Sequence, residues 1–108
     1  MKIELIYDAD CPNVNAARAE LSLALNRLGL SETWQEHCRQ DRHAPDFARA
    51  FGSPTILVNG QDVAPTRTDG PNACRLYPDE KGAGQGFPPA FVIEGRIKVA
   101  LKDAKQAL

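Results

Sequence analysis

The sequence has almost no net charge, no long apolar run and few cysteines. Its 108 residues carry 13 basic and 14 acidic side chains, for a net charge of −1. No face forms a basic stripe, which argues against nucleic acid or an anionic membrane as a partner. No apolar run approaches the ~20 residues that span a bilayer, and Glu4 interrupts the region where a signal peptide is apolar. We therefore expect a cytoplasmic protein with no membrane partner.

The cysteine content excludes a further class of protein. Cys11, Cys38 and Cys74 are an odd number at wide spacing, whereas small secreted domains use an even disulfide framework. We expect thiols in a reducing compartment, with any disulfide transient. The length permits one domain with a modest core. The apolar fraction of 43% and the charged fraction of 25% are ordinary for globular proteins, which argues against wholesale disorder.

Hydrophobic periodicity predicts strands that alternate with helices. Residues 3–7 alternate as a strand, and Pro12 begins an amphipathic helix that Gly29 ends in a left-handed cap. The further elements are predicted as a polar edge strand at 32–38, a short helix at 44–51, a buried strand at 55–58, a turn at Asn59-Gly60, a loop at 61–73, a final strand at 73–77 and a helix at 88–108.

The last segment fits two structures. Its apolar residues repeat with helical spacing from Pro88 onwards, but the part around Glu94-Gly95 also fits a hairpin. We favour the helix because the helical period continues past Val99. The resulting order, β-α-β-α-β-β-α, predicts an α/β fold with a four-stranded mixed sheet and helices on both faces. We expect one domain over 1–108.

Cys11 lies where the first strand gives way to the first helix. If Pro12 is the first helical residue, Cys11 is the N-cap, where the helix dipole and unpaired N–H groups favour a thiolate. Asp8 and Asp10 would oppose the thiolate, and no lysine or arginine is adjacent in sequence to offset them. Cysteine is a poor N-cap, which favours a functional role for Cys11 over the alternative of a small residue filling a turn.

Two motifs carry a resemblance to a known family. Cys11-Pro12-Asn13-Val14 follows the first strand, and Ser53-Pro54-Thr55-Ile56 precedes the third. This arrangement resembles the thioredoxin-like fold, and most of all its small glutaredoxin-like members, over nearly the whole chain. A loop insertion at about 61–73 is the main departure.

The resemblance implies roles for individual residues. It implies a thiol-disulfide oxidoreductase with Cys11 as the catalytic nucleophile. It also implies a cis Pro54 beside that cysteine, and a cis bond is cheap only before proline. Pro12, Ser53, Pro54 and Thr55 would form the substrate-binding edge, at which Ser53 offers backbone pairing. The alternative for Pro54 is a trans proline that starts a strand.

Val14 departs from the dithiol motif of that family. It stands where dithiol members have a second cysteine, so the usual intramolecular resolving step is absent. Cys11 would then work as a monothiol with glutathione as co-substrate, or Cys74 or Cys38 would act as the resolving cysteine. A third alternative is that the redox cycle is lost. The expected partners are a small thiol or a protein disulfide, and we expect no metal and no bound cofactor.

Two other functions compete with the oxidoreductase. Cys11 with Cys38 or Cys74 could offer two thiolates to mercury, copper(I) or zinc, with His37 or His43 nearby. Their spacing does not match that of a structural zinc site. The third function is a redox-inactive thioredoxin-like adaptor, which the missing second cysteine of the motif fits.

Overall fold

A computed structural model of the chain describes residues 1–65, 77–78 and 84–106. Cys74 and most of the predicted strand at 73–77 lie outside these ranges. In chain order the described elements are β1 (Ile3–Tyr7), α1 (Val14–Arg27), β2 (Gln35–Cys38), a 3-10 helix (Asp46–Ala50), β3 (Thr55–Val58), β4 (Gln61–Asp62), β5 (Tyr77–Pro78), β6 (Gly84–Gln85) and α2 (Ala90–Gln106).

The main sheet has four strands in the order β2-β1-β3-β4. The central strand β1 pairs in parallel with β2, so that Tyr7 lies opposite Cys38. On its other side β1 pairs antiparallel with β3, with Ile6 opposite Thr55. The predicted α/β class with a four-stranded mixed sheet is confirmed. The end of β1, the end of β2 and the start of β3 therefore meet at one edge of the sheet.

The predicted position of the fourth strand is wrong. Gln61 and Asp62, placed in a loop by the sequence prediction, pair antiparallel with β3 as β4. The cause is the preceding turn, in which Asn59 and Gly60 have φ angles of 51° and 80°. Two consecutive residues with positive φ form the tight hairpin turn that Asn-Gly favours, and such a turn brings the next residues back along the strand.

The end of the predicted final strand belongs to a different sheet. Tyr77 lies in β5, which pairs antiparallel with β6 in a separate two-stranded sheet. Tyr77 is opposite Gln85, and its side chain is only 1% exposed. The described residues therefore do not follow the predicted order β-α-β-α-β-β-α, because two short strands stand between β4 and α2.

Helix α1 ends as the sequence predicts. Gly29 has a φ of 68°, a left-handed conformation that glycine adopts without a steric penalty. The N–H of Leu30 donates to the carbonyl oxygen of Leu25 at 2.9 Å, and the N–H of Gly29 donates to that of Asn26 at 3.1 Å. These two bonds are the Schellman motif, which satisfies carbonyl groups that the helix end would leave unpaired.

Both α-helices pack on one face of the sheet. This face forms the larger core, with Leu5 from β1, Leu21 from α1 and Ile93 from α2, each at 0% exposure. The opposite face, with Ile6 and Leu57, packs against Ala48 of the 3-10 helix. Helices were predicted on both faces of the sheet, but on the second face the structure has only this short 3-10 helix. A five-residue segment cannot form the long apolar stripe that a covering α-helix needs.

The final segment is a helix and not a hairpin, as the spacing of its apolar residues predicts. Helix α2 covers Ala90–Gln106, and Ile93 and Ile97 are fully buried. The N–H of Ala90 donates to Glu20 Oε1 at 3.2 Å, which satisfies a donor at the start of α2 with a carboxylate from α1. Within the described ranges, no helix combines the length and apolarity needed to cross a membrane.

Candidate active site

Cys11 lies in a turn that connects β1 to α1. The Cys11 N–H donates to the carbonyl oxygen of Asp8 at 3.0 Å, and its side chain is a half-buried free thiol. The predicted start of the helix at Pro12 is wrong, because α1 begins at Val14 with Asn13 as its N-cap. The turn to Asp8 uses the Cys11 amide and delays the helix by two residues. The thiol therefore stands further from the helix dipole than the sequence suggests.

The loop before β3 lies directly against this turn. The Ser53–Pro54 peptide bond is cis, as predicted. The N–H of Asp8 donates to Ser53 Oγ at 2.9 Å, which ties the cysteine turn to this cis-proline loop (Gly52–Pro54). The structure thus brings Cys11, Ser53 and Pro54 to one edge of the sheet.

The predicted substrate-binding residues differ in their accessibility. Pro12 is exposed, whereas Ser53, Pro54 and Thr55 are buried. The hydroxyl groups of Ser53 and Thr55 are engaged within the protein, since Thr55 Oγ1 donates to the Gly52 carbonyl oxygen at 2.8 Å. These side chains shape the loop rather than present polar groups to solvent. Their role in binding substrate stays a prediction.

A cation from a distant part of the chain neutralises Asp8. Arg39 Nη1 lies 2.5 Å from Asp8 Oδ1, with the Arg39 side chain 8% exposed and the Asp8 side chain 20% exposed. Gln40 Nε2 donates to the same oxygen at 2.8 Å. No lysine or arginine is adjacent to Asp8 in the sequence, but the fold supplies one. Arg39 follows β2 and lies beside the end of β1, where it pairs with Asp8. The Arg39 N–H also donates to the Tyr7 carbonyl oxygen at 2.8 Å.

Arg39 and Gln40 are the functional candidates that sequence reasoning missed. The signal that could have found them is the parallel pairing of β1 and β2, because residues that follow two adjacent parallel strands emerge at the same edge. The same pairing predicts that Cys38 lies towards Cys11, and it extends to the two residues that follow Cys38.

Cys38 reaches the predicted edge as a free, half-buried thiol. Its sulfur donates to Gln40 Oε1 at 3.5 Å, and the same oxygen accepts the Ala9 N–H at 2.8 Å. The Gln40 side chain therefore bridges Cys38 to the turn that holds Cys11. Cys74, the other candidate resolving cysteine, lies outside the described residues.

The histidines named for a soft-metal site do not join the cysteines. His37 precedes Cys38 on β2, and successive side chains of a strand point to opposite faces. His37 Nε2 lies 2.9 Å from Glu4 Oε2, and His43 is exposed. Across the described ranges, no three potential ligands are grouped so that they could hold a metal ion.

A charged cluster borders the site on the helix-covered face. Arg18 of α1 lies over the Tyr7 ring, with its Cζ 5.4 Å from the ring centroid. Its Nε and Nη2 donate to the two Glu36 oxygens at 2.9 and 2.7 Å, and Trp34 Nε1 donates to Glu36 Oε2 at 2.9 Å. The Arg18 hydrogen bonds, followed by that of Trp34, lower the pKa of Glu36, whereas partial burial opposes this shift. The same pairing raises the pKa of Arg18.

Replacing Glu36 with glutamine is expected to lower the free energy of unfolding at pH 7 by less than about 1 kcal/mol, because the pair is partly exposed. The folded-state pKa lies below the unfolded one, so this stabilisation is present above the unfolded pKa. It is lost as pH falls through the folded pKa. Urea unfolding at pH 7 and at pH 3 measures the change, with Glu32→Gln at an exposed position as the control. A difference that is the same at both pH values would contradict the pairing.

Comparisons with protein-family models, with curated protein sequences and with solved structures find no match to this chain. The site is therefore interpreted from its own residues.

Proposed function

We propose that this chain is a thioredoxin-like thiol-disulfide oxidoreductase of monothiol or atypical type, with Cys11 as its nucleophile. The observation that carries the proposal is the 2.9 Å hydrogen bond from the Asp8 N–H to Ser53 Oγ. This bond joins the turn that holds a free thiol to a loop with a cis proline. A cysteine turn beside a cis proline is the arrangement that the resemblance implies for thiol-disulfide exchange.

The first chemical step is attack by the Cys11 thiolate on one sulfur of a substrate disulfide. A new bond forms between Cys11 Sγ and that sulfur, the substrate S–S bond breaks, and the other substrate sulfur leaves as a thiolate. The product is a mixed disulfide on Cys11. Cys11 is oxidised in this step, and the departing sulfur is reduced.

The second step needs another thiol, because Val14 cannot supply one. Glutathione or another small thiol can attack the mixed disulfide, which restores the Cys11 thiolate and oxidises the attacking thiol. Alternatively, the Cys38 thiolate attacks Cys11 Sγ, expels the substrate thiolate and leaves a Cys11–Cys38 disulfide. The contact of Cys38 with Gln40, which also bonds the Ala9 amide, supports this second route.

Two features of the structure bear on the charge around Cys11. Helix α1 begins at Val14, so the thiol lies further from the positive end of the helix dipole than an N-cap would. Arg39 neutralises Asp8, which removes one repulsive charge from the same turn.

The proposal is tested by the rate of Cys11 alkylation with iodoacetamide between pH 5 and 9. The protein carries Cys38→Ser and Cys74→Ser, so that Cys11 is the one remaining thiol. We expect Cys11 to be alkylated faster at pH 7 than the cysteine of an unstructured peptide in the same buffer. A rate at or below that of the peptide would contradict the oxidoreductase and leave the redox-inactive adaptor as the better reading.

A further inference from the structure

We propose that β5 and β6 act as a clamp that holds the cis-proline loop and the cysteine turn together, with Tyr77 as a positioning residue. The clamp consists of Tyr77–Pro78, Gly84–Gln85 and the following Gly86. The effect on catalysis rests on the function proposed above, whereas the effect on the two loops does not.

One contact point of the clamp is on the cis-proline loop. The Tyr77 hydroxyl donates to the Pro54 carbonyl oxygen at 2.5 Å, and the Tyr77 side chain is among the largest that are fully buried. Burying a hydroxyl group without a hydrogen-bond partner costs free energy, so the bond between Tyr77 and Pro54 stabilises both buried groups. Tyr77 therefore fixes the loop by a directed bond and not by packing alone.

The other contact point is on the cysteine motif. A Cβ built at Gly86 would lie 2.2 Å from Asn13 Nδ2 and 2.5 Å from Asn13 Cγ. Asn13 is the N-cap of α1 and lies two residues after Cys11. Only glycine lets the backbone at position 86 approach this side chain so closely. Within the segment, Gln85 Nε2 donates to the Phe87 carbonyl oxygen at 2.8 Å, which restrains the backbone around Gly86.

The clamp thus contacts Pro54, the neighbour of Ser53, and Asn13 at the end of the cysteine turn, both from outside the main sheet. Pairing of Tyr77 with Gln85 links its two contact points through the β5–β6 ladder. The Asp8 N–H to Ser53 Oγ bond reports directly on the separation of the two loops. If the clamp holds the loops together, loosening either contact should open this bond.

The first test is hydrogen exchange of the Asp8 amide in Tyr77→Phe, which keeps the buried ring and removes the hydroxyl. We expect this amide to exchange about tenfold faster, while amides within β1 and β3 change much less, because the opening is local. Ile97→Val, which shortens a buried α2 side chain, is the control for a general loss of stability. Exchange at Asp8 that is unchanged, or raised equally in Ile97→Val, would overturn the clamp.

The second test concerns Gly86. Gly86→Ala should also speed exchange of the Asp8 amide, because the added methyl group must push Asn13 aside. Asn13→Gly, which removes the side chain that Gly86 approaches, should also speed this exchange, and adding Gly86→Ala to it should cause little further change, because the methyl group then meets no side chain. If Asn13→Gly exchanges as slowly as wild type, the contact at Asn13 is not what holds the turn.

The chemical consequence is measured with glutathione disulfide as the probe. Because displacement of reacting groups by about 1 Å can cost up to a hundredfold in rate, we expect Tyr77→Phe to form the Cys11 mixed disulfide about tenfold more slowly. Alkylation of Cys11 by iodoacetamide should proceed in Tyr77→Phe within about twofold of the wild-type rate, because this small reagent does not have to bind the cis-proline loop. Faster Asp8 exchange with no mixed disulfide even in wild type would leave the clamp standing and refute the oxidoreductase. Equal mixed-disulfide rates in the two proteins would refute the catalytic role of Tyr77.

Discussion

Replacing Cys11 with serine is expected to reduce mixed-disulfide formation with glutathione disulfide to the background rate. A serine hydroxyl stays protonated at neutral pH and cannot replace a thiolate in exchange with a disulfide. Intact-protein mass spectrometry measures the adduct over time. The fold should survive, because Cys11 is only half-buried and its turn is held by the backbone bond to Asp8.

Cys38→Ser is the matched variant, since Cys38 is also a free and half-buried thiol at the same edge. If Cys38 resolves the intermediate, this variant should accumulate the glutathione adduct, whereas wild type proceeds to a Cys11–Cys38 disulfide. If a small thiol resolves it, the adduct should accumulate equally in both proteins. A Cys11→Ser protein that still forms the adduct as fast as wild type would refute Cys11 as the nucleophile.

Replacing Arg39 with methionine is expected to lower the free energy of unfolding by about 2 kcal/mol. Loss of one partner from a buried ion pair costs about 3–5 kcal/mol. The smaller value is expected because Asp8 keeps its bond to Gln40 and remains partly exposed. In addition, Arg39 Nε is a buried donor without a partner in the described part of the chain, and methionine removes that penalty. Urea unfolding at pH 7 measures the loss.

A double-mutant cycle with Asp8→Asn separates the ion pair from the lost packing. The two substitutions together should cost at least about 1 kcal/mol less than the sum of the single changes, as expected for residues in direct contact. Arg42→Met, at an exposed position three residues further on, is the control. Strictly additive costs would contradict the pairing of Arg39 with Asp8.

The elements that the sequence predicts well are those with a strong local signal. Strand β3 is a compact apolar run, α1 and α2 have long helical periodicity, and Gly29 occupies the cap that its type favours. The cis isomer of Pro54 came from the resemblance, and no local pattern of hydrophobicity would have predicted it. Each of the other features depends on residues within a few positions of one another, which is the range over which such patterns act.

The elements that the sequence does not predict depend on tertiary contacts. Gln61 and Asp62 are too polar to suggest a strand, yet the Asn59-Gly60 turn places them beside β3. The start of α1 is displaced because the Cys11 amide bonds back to Asp8. The neutralising partner of Asp8 lies 31 residues away in the sequence. Charge next to a candidate nucleophile thus has to be counted across paired strands and not only along the chain.

The central position of β1 has a consequence for how the protein is made. This strand precedes both of its hydrogen-bonding neighbours in the chain, residues 35–38 and 55–58. Ile3, Leu5 and Ile6, which are almost completely buried in the finished fold, therefore cannot be paired on both sides until residue 58 has been synthesised. Because sheet formation must close these loops before it gains the contacts, β1 is exposed to aggregation until both neighbours are present.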